Sequence, residues 1–198
     1  AALEVFHREC QALAGMRHPN IAEILDAGEL EGSTGNRPYI AMPLLEGVAL
    51  EEAIRGSGPR LPVERVVEIL CQACRGLQAA HERGLVHGHI EPGSLFLLGD
   101  GTVKILGFGR QGKGILAYRA PEQVRLEAPT AQADIFSLAA VGYEALALRR
   151  PFEGGSELEI AQAILHTVQP LVSDVNPAVD RAIGEVIQRA MAKEPRQR

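Results

Sequence analysis

Three side chains capable of chemistry alternate in the run His87-Gly88-His89-Ile90-Glu91. On an extended strand, His87, His89 and Glu91 would share one face, because successive side chains point to opposite sides. Two imidazoles and a carboxylate can hold iron or zinc, so a metal site is one hypothesis. His89 is also a candidate general base, because the pKa of histidine suits that task. Pro92 and the two glycines indicate an irregular loop, which makes the metal site the weaker alternative.

A second pair of reactive side chains is Cys71-x-x-Cys74. This spacing can indicate zinc binding or redox chemistry, but here it falls in the middle of a long helical pattern. No helix N-terminus is available there to lower the pKa of a thiol. We therefore expect both cysteines to be small core residues on the apolar face of that helix.

The elements around these residues change character along the chain. Apolar residues at spacings of three and four predict helices over 1–16, 51–58 and 61–84. Strands are predicted over 21–30 and 38–45, and a hairpin over 94–106 turns at Gly99-Asp100-Gly101. From Thr130 onward the pattern is helical, with breaks at prolines. The front of the chain is thus mixed and the back is helical.

Composition excludes several classes of protein. The 198 residues carry a net charge of −5, so we expect no nucleic-acid partner. No apolar run approaches the ~20 residues of a membrane span. Three cysteines without a secretory signal indicate a reduced, cytoplasmic protein. The missing initiator Met indicates a segment of a longer chain.

Six short strings, in this order, resemble a bacterial Ser/Thr protein kinase of the eukaryotic type. They are HREC at 7–10, HPNI at 18–21, AYRAPEQ at 117–123, DIFSLAAVGYEAL at 134–146, PFEG at 151–154 and the tail at 178–198. Each string is weak alone, but six in the family's order make coincidence improbable. The resemblance implies an α+β, protein-kinase-like fold: a partial small-lobe sheet over 1–45 and a mostly helical large lobe over 46–198, forming one domain that lacks the start of the small lobe.

The resemblance also assigns structural roles. Glu9 matches the glutamate of the small-lobe ion pair, and Glu122 should pair with Arg198. Asp134 should hold the backbone of the catalytic loop, and as the residue that opens a helix it should also cap it. A stack of packed side chains inside the domain matches Leu13, Ile24, His87 and Phe108.

The catalytic positions of the family are replaced. Gly88 stands in place of the arginine, His89 in place of the catalytic Asp, and Glu91 in place of the Lys beside the transferred phosphate. The two metal-binding positions read Ser94 and Gly107. We therefore expect no magnesium. Glu91 should also repel phosphate, by roughly 4 kcal/mol at 4 Å and an effective dielectric of 20.

The nucleotide side is altered as well. Met42 and Leu44 fall in the hinge around Pro43, and Phe96 falls where a smaller aliphatic side chain normally lies under adenine. We expect ATP binding to be weak or absent and no cofactor to be bound. No Ser or Thr lies between Arg110 and Ala120, so the activation segment lacks its usual phosphorylation site.

These replacements favour a pseudokinase, a catalytically inactive kinase-like domain that is not an enzyme and works through a protein partner or adjacent domains. Its former catalytic positions His89, Glu91 and Ser94 should then contribute little to stability. Two alternatives remain: a divergent Ser/Thr protein kinase and a nucleotide-sensing module. A metal site at His87 and His89 is the less favoured third.

Overall fold

The computed structural model describes residues 15–30, 37–56, 58, 60–108 and 114–198. Glu9 and Leu13, together with most of the helix predicted over 1–16, lie outside the described residues. The described part is mixed in its first half and helical in its second, as predicted.

Five strands form two antiparallel sheets among the described residues. They are β1 (Asp26–Leu30), β2 (Arg37–Ala41), β3 (Gly47–Ala49), β4 (Leu95–Leu98) and β5 (Val103–Ile105). β1 pairs with β2, placing Asp26 opposite Ala41, and the second sheet has the order β3-β4-β5. The predicted strand over 38–45 ends early, before Pro43, which has no N–H for a ladder. The sheets are joined near Ile21, which forms a parallel bridge with Ile105.

The predicted hairpin is present between β4 and β5. Gly101 has a φ of +89°, a left-handed conformation that favours glycine. The amide of Thr102 donates to Asp100 Oδ1 at 2.8 Å, which fixes the turn. This hairpin lies directly after the loop that carries His87, His89 and Glu91, so its first strand sets where that loop ends.

Seven α-helices lie in the described residues after Gly47. They are α1 (Leu50–Arg55), α2 (Val63–His81), α3 (Pro121–Val124), α4 (Ala131–Ala147), α5 (Glu157–His166), α6 (Val172–Val175) and α7 (Arg181–Ala190), with 3₁₀ turns at Pro92–Ser94, Leu116–Tyr118 and Pro195–Gln197. α4 is buried along almost its whole length and forms the centre of the helical part. A helix that is apolar on all sides is expected at such a position.

α2 packs on α4 through an apolar face that includes Val66 and Leu77 but not the two cysteines. Its buried residues include Ile69, Ala73 and Ala80, whereas Cys71 and Cys74 are exposed. The expectation that both cysteines are core residues is therefore wrong. The buried face combines the larger side chains of Val66, Ile69 and Leu77 with small residues at 73, 76 and 80, which allow close packing. Cys74 lies beside this face and forms part of the wall of an apolar groove between α2, α4 and α7.

Candidate functional site

The loop between α2 and β4 is held in place by one carboxylate. Asp134, in the first turn of α4, is completely buried and accepts hydrogen bonds from the backbone amides of His87 at 2.9 Å and Gly88 at 2.7 Å. His81 Nε2 lies 2.8 Å from the same carboxylate. An irregular loop cannot pair its own amides, so an outside acceptor must do so. Asp134 thus fixes the loop backbone.

Asp134 is not the helix cap that the sequence suggested. The N-cap residue of α4 is Thr130, and no side chain accepts a hydrogen bond in the capping position. Asp134 lies four residues further on, so its carboxylate turns away from the helix end and toward the loop. The predicted cap is wrong at this position.

His87 points inward and packs on Phe108. The centroids of the two rings lie 4.7 Å apart in an edge-on arrangement, and both side chains are buried. His87 Nε2 lies 2.9 Å from the carbonyl oxygen of Leu106. Ile24, which the resemblance places in the same stack, is partly buried against the core. The loop is therefore joined to the strand-end segment 106–108 through His87.

His89 lies beside His87, with the ring centroids 4.5 Å apart. Its Nε2 is 3.1 Å from the carbonyl oxygen of Gly107, so His89 faces the segment that follows β5. The Nε2 atoms of His87 and His89 contact different carbonyl oxygens, those of Leu106 and Gly107. The Glu91 carboxylate accepts from the amide of Ile115 instead. Within the described ranges there is no group of three or more His, Cys, Asp or Glu that could hold a metal ion. The alternating motif therefore does not converge on one point.

Glu91 and Ser94 are structural residues in this loop. Glu91 is only 9% exposed, and its Oε2 accepts from the amide of Ile115 at 2.9 Å. Ser94 Oγ accepts from the amide of Glu91 at 2.9 Å and lies 2.7 Å from its carbonyl oxygen. Because buried polar groups with partners are costly to remove, this geometry argues against the expectation that these two positions contribute little to stability, which unfolding of the variants would test.

A buried polar cluster connects the activation segment to α4. Tyr118 donates to Glu144, and Arg55 of α1 lies 3.3 Å from both the phenol oxygen and the Glu144 carboxylate. Burial and the neighbouring carboxylate raise the pKa of Tyr118. Sequence analysis missed this cluster. A buried Glu inside the apolar run 133–146 was the one available signal, since such a charge needs a partner.

Two further contacts hold the end of the same segment. Gln123 of α3 donates to the carbonyl of Gly88, which joins the activation segment to the loop between α2 and β4. Glu122 and Arg198 form a bidentate ion pair at 2.6 and 2.8 Å, with side chains 3% and 0% exposed. Arg198 also donates to three backbone carbonyls, at Gln132, Ala192 and Lys193.

The comparison with known proteins agrees with this geometry. The family model described as the protein kinase domain matches residues 2–198. The chain belongs to the protein kinase domain family. Among solved structures, a point mutant of the Mycobacterium tuberculosis PknI kinase domain superposes with a TM-score of 0.81 at 28% identity, covering all of this chain and 73% of that one. The predicted protein-kinase-like fold is confirmed.

Curated relatives carry kinase names. Serine/threonine-protein kinase PknB of Mycobacterium leprae is 30% identical and that of Mycolicibacterium smegmatis 33% identical, over 98% and 96% of this chain. The chain spans about a third of the length of both relatives (33% of each). Because the relatives are named as kinases, this finding overturns the expectation that the chain is not an enzyme.

The kinase family implies a magnesium ion on the nucleotide phosphates. The residues of this chain do not fit it at the two family positions. Gly107 has no side chain, and the Ser94 hydroxyl is committed to the backbone of Glu91. Glu91 itself is directed at Ile115. A hard cation needs several oxygen ligands converging on it, and these positions supply none.

The hinge side chains on the nucleotide side of this kinase domain are exposed to solvent. The side chain of Leu44 is 94% exposed, and Met42 is also exposed. Phe96 lies in β4, half-buried, opposite Ala49 and Lys104. A ring of this size at a position that the resemblance places under adenine is the reason for expecting weak ATP binding, and that expectation stays a prediction. Among the described residues, no helix is both long enough and apolar enough to cross a bilayer.

Proposed function

We propose that the chain forms the larger part of a divergent Ser/Thr protein kinase domain. Family membership supports the proposal, as do relatives named as serine/threonine-protein kinases. Because the chain covers a third of those relatives, the substrate and the partners of the whole protein are part of the proposal. Adjacent domains or a protein partner would supply the substrate.

The observation that carries the proposal is the fixed backbone of the catalytic loop. Asp134 accepts from two consecutive amides, at 2.9 and 2.7 Å, and His87 closes the loop onto Phe108. Phosphoryl transfer by kinases depends mainly on positioning, so a loop held in this frame is its first requirement.

In this proposal, His89 is the proton acceptor. It matches the position of the family's catalytic carboxylate, and a neutral imidazole can accept the proton of a Ser or Thr hydroxyl. When Nε2 donates to the carbonyl of Gly107, 3.1 Å away, the basic lone pair is on Nδ1. The hydroxyl proton would pass to that nitrogen while its oxygen attacks the γ-phosphorus of ATP, the bond from that phosphorus to the bridging oxygen breaks, and ADP leaves.

The test is label transfer from γ-labelled ATP to a generic Ser/Thr protein by the full-length protein. We expect label at least tenfold above a heat-killed control, and we expect His89→Ala to reduce it to background. The matched control is His166→Ala, an exposed histidine at the end of α5, which should leave the rate unchanged. If no label appears, or if His89→Ala transfers as well as the parent protein, the proposal is wrong.

A second candidate function is nucleotide sensing without transfer. Gly107 has no side chain and the Ser94 hydroxyl bonds to the backbone of Glu91, so neither position would hold a magnesium ion on bound ATP. Binding of ATP without transfer is favoured for this reason. The measurement is thermal unfolding of the full-length protein with ATP, with and without MgCl₂. We expect a weak shift that magnesium does not change. A shift of several degrees that requires magnesium would contradict the poor fit of the metal positions.

A further inference from the structure

The described part of the activation segment begins with an unusual arrangement at the peptide bond between Gly114 and Ile115. The N–H of Ile115 donates to Glu91 Oε2 at 2.9 Å. The carbonyl oxygen of Gly114 accepts from Arg119 Nη2 at 3.0 Å. A carboxylate and a guanidinium therefore hold the two polar groups of one peptide unit. Hydrogen bonds with an ionised partner are about twice as strong as neutral ones.

The residues around this peptide leave it little freedom. Gly114 has a φ of +60°, and a Cβ there would lie 3.0 Å from the Cβ of His89. Any larger residue would push the segment away from the loop. Glu91 is itself fixed, because Ser94 holds its backbone at both the N–H and the carbonyl group. The segment thus rests directly on the loop residue that we propose as the proton acceptor.

The sequence removes the usual means of ordering such a segment. Kinase activation segments are commonly ordered by a phosphate that pairs with an arginine. Here no Ser or Thr lies between Arg110 and Ala120, and Gly88 replaces the arginine of the loop. Glu91 supplies a permanent negative charge in the loop itself. A carboxylate in this place can perform the ordering that a phosphate performs elsewhere.

We propose that Glu91 and Arg119 form a clamp on the 114–115 peptide that keeps the activation segment ordered without phosphorylation. Glu91 is then a positioning residue: it replaces the family's phosphate-contacting lysine and holds the surface on which a protein substrate would lie. This inference deepens the proposed function, because the segment borders His89. The domain would be set permanently in one conformation, without a phosphorylation switch at this segment.

Amide hydrogen exchange of the full-length protein tests the clamp without requiring any activity. In the parent protein we expect the Ile115 amide to exchange slowly, and phosphatase treatment to change its rate by less than twofold. Glu91→Ala and Glu91→Lys should accelerate it at least tenfold, while amides inside α4 keep their protection. Glu127→Ala, an exposed carboxylate just after α3, is the matched control and should have no effect.

A second variant covers the case in which the Glu91 variants fail to fold. Arg119→Ala removes the other half of the clamp from a partly exposed side chain and should accelerate exchange at Ile115 severalfold. Unchanged exchange in Arg119→Ala and in any folded Glu91 variant would refute the clamp, and so would acceleration by phosphatase. Because the readout is exchange, a failure of label transfer would overturn the kinase proposal and leave this result standing.

Discussion

Two regions of this domain, the surroundings of α4 and the loop between α2 and β4, differ in how many of the kinase family's side chains they share. Around α4, the side chains themselves are those that the kinase family uses: Asp134 holds the loop, and Glu122 pairs with Arg198. In the loop, Asp134 holds the backbone amides of His87 and Gly88, but the side chains at 89, 91 and 94 differ from those of the family pattern. The acceptor on α4 fixes the first part of the loop, and the new side chains at 91 and 94 hold the rest.

The replaced side chains have also gained new partners. Glu91 and Ser94 bond to each other and to the activation segment, and His89 bonds to the segment after β5. Positions 91 and 94 therefore hold the loop through hydrogen bonds, whereas His89 contacts Gly107 and is also the proton acceptor of the proposed function. The predictions below measure how much of the stability resides in each region.

The largest effect is expected at the buried ion pair. Glu122→Ala would leave the Arg198 guanidinium, whose side chain is fully buried, without its carboxylate. Stranding a buried charge costs about 3–5 kcal/mol in free energy of unfolding. Urea unfolding of both proteins measures it. Arg181→Ala, which breaks an exposed pair with Glu185 on α7, is the control and should cost less than about 1 kcal/mol. Equal losses in the two variants would mean that the buried Glu122–Arg198 pair contributes no more to stability than an exposed pair.

The next effect is expected at Asp134. Asp134→Ala removes an acceptor shared by the amides of His87 and Gly88 and by His81. Unsatisfied buried donors cost about 1–3 kcal/mol each, and partial relaxation should bring the total to about 2–4 kcal/mol. Asp134→Asn keeps one carbonyl oxygen and should lose roughly half as much. Asp174→Ala, an exposed carboxylate on α6, should stay within about 0.5 kcal/mol. A loss that small for Asp134→Ala would show that the loop holds its own shape.

Much of this fold could be predicted from the sequence. The hairpin at Gly99-Asp100-Gly101 follows from turn chemistry, and α2 follows from a strong helical period. The edge of the buried face of α2 is not predictable in this way, because a helical period places residues on a face without saying how far burial extends around it. Cys71 and Cys74 were therefore assigned to the core, although they are exposed.

The site was predictable only where the family supplied a pattern. Glu122 and Arg198 are 76 positions apart in sequence, so no local rule connects them. Glu91 was interpreted as a charge facing phosphate, because the family has a lysine there. The structure directs it to the amide of Ile115, and only the three-dimensional path of the activation segment brings that amide within reach.

A smaller effect should appear inside the loop. Ser94→Ala removes a hydroxyl that bonds to both backbone groups of Glu91 and leaves a buried N–H without its partner. We expect a loss of about 1–2 kcal/mol, against the near-zero value that a vacated catalytic position would give. The matched control is Ser173→Ala on α6, whose buried hydroxyl has no hydrogen-bond partner among the described residues. Equal free energies of unfolding for the two variants would mean that the loop side chains carry no structural role.

The smallest effect is a pH dependence that belongs to the region around α4. Burial, together with the nearby Arg198, lowers the pKa of Lys193 to about 8, from an ordinary value of 10.5. Its ammonium lies 4.4 Å from the centre of the Phe152 ring and donates to the carbonyl of Ile164 at 2.7 Å. Between pH 8 and 10.5 the unfolded chain binds more protons at this lysine than the folded chain does. The contribution of Lys193 to stability must therefore rise with pH in that window.

Urea unfolding at pH 7.5, 8.5 and 9.5 measures this rise, and Lys193→Met removes the group that causes it. We expect the parent protein to gain about 0.5 kcal/mol per pH unit relative to Lys193→Met. A half-exposed amine is partly solvated, so the slope falls well below the ~1.4 kcal/mol per unit of one full proton. Tyr118 acts in the opposite direction, because its raised pKa lets only the unfolded phenol ionise, but this loss begins near pH 10. Parallel curves for the two proteins up to pH 9.5 would mean that Lys193 keeps an ordinary pKa. The region around α4 would then show no pH-dependent contribution to stability from this lysine.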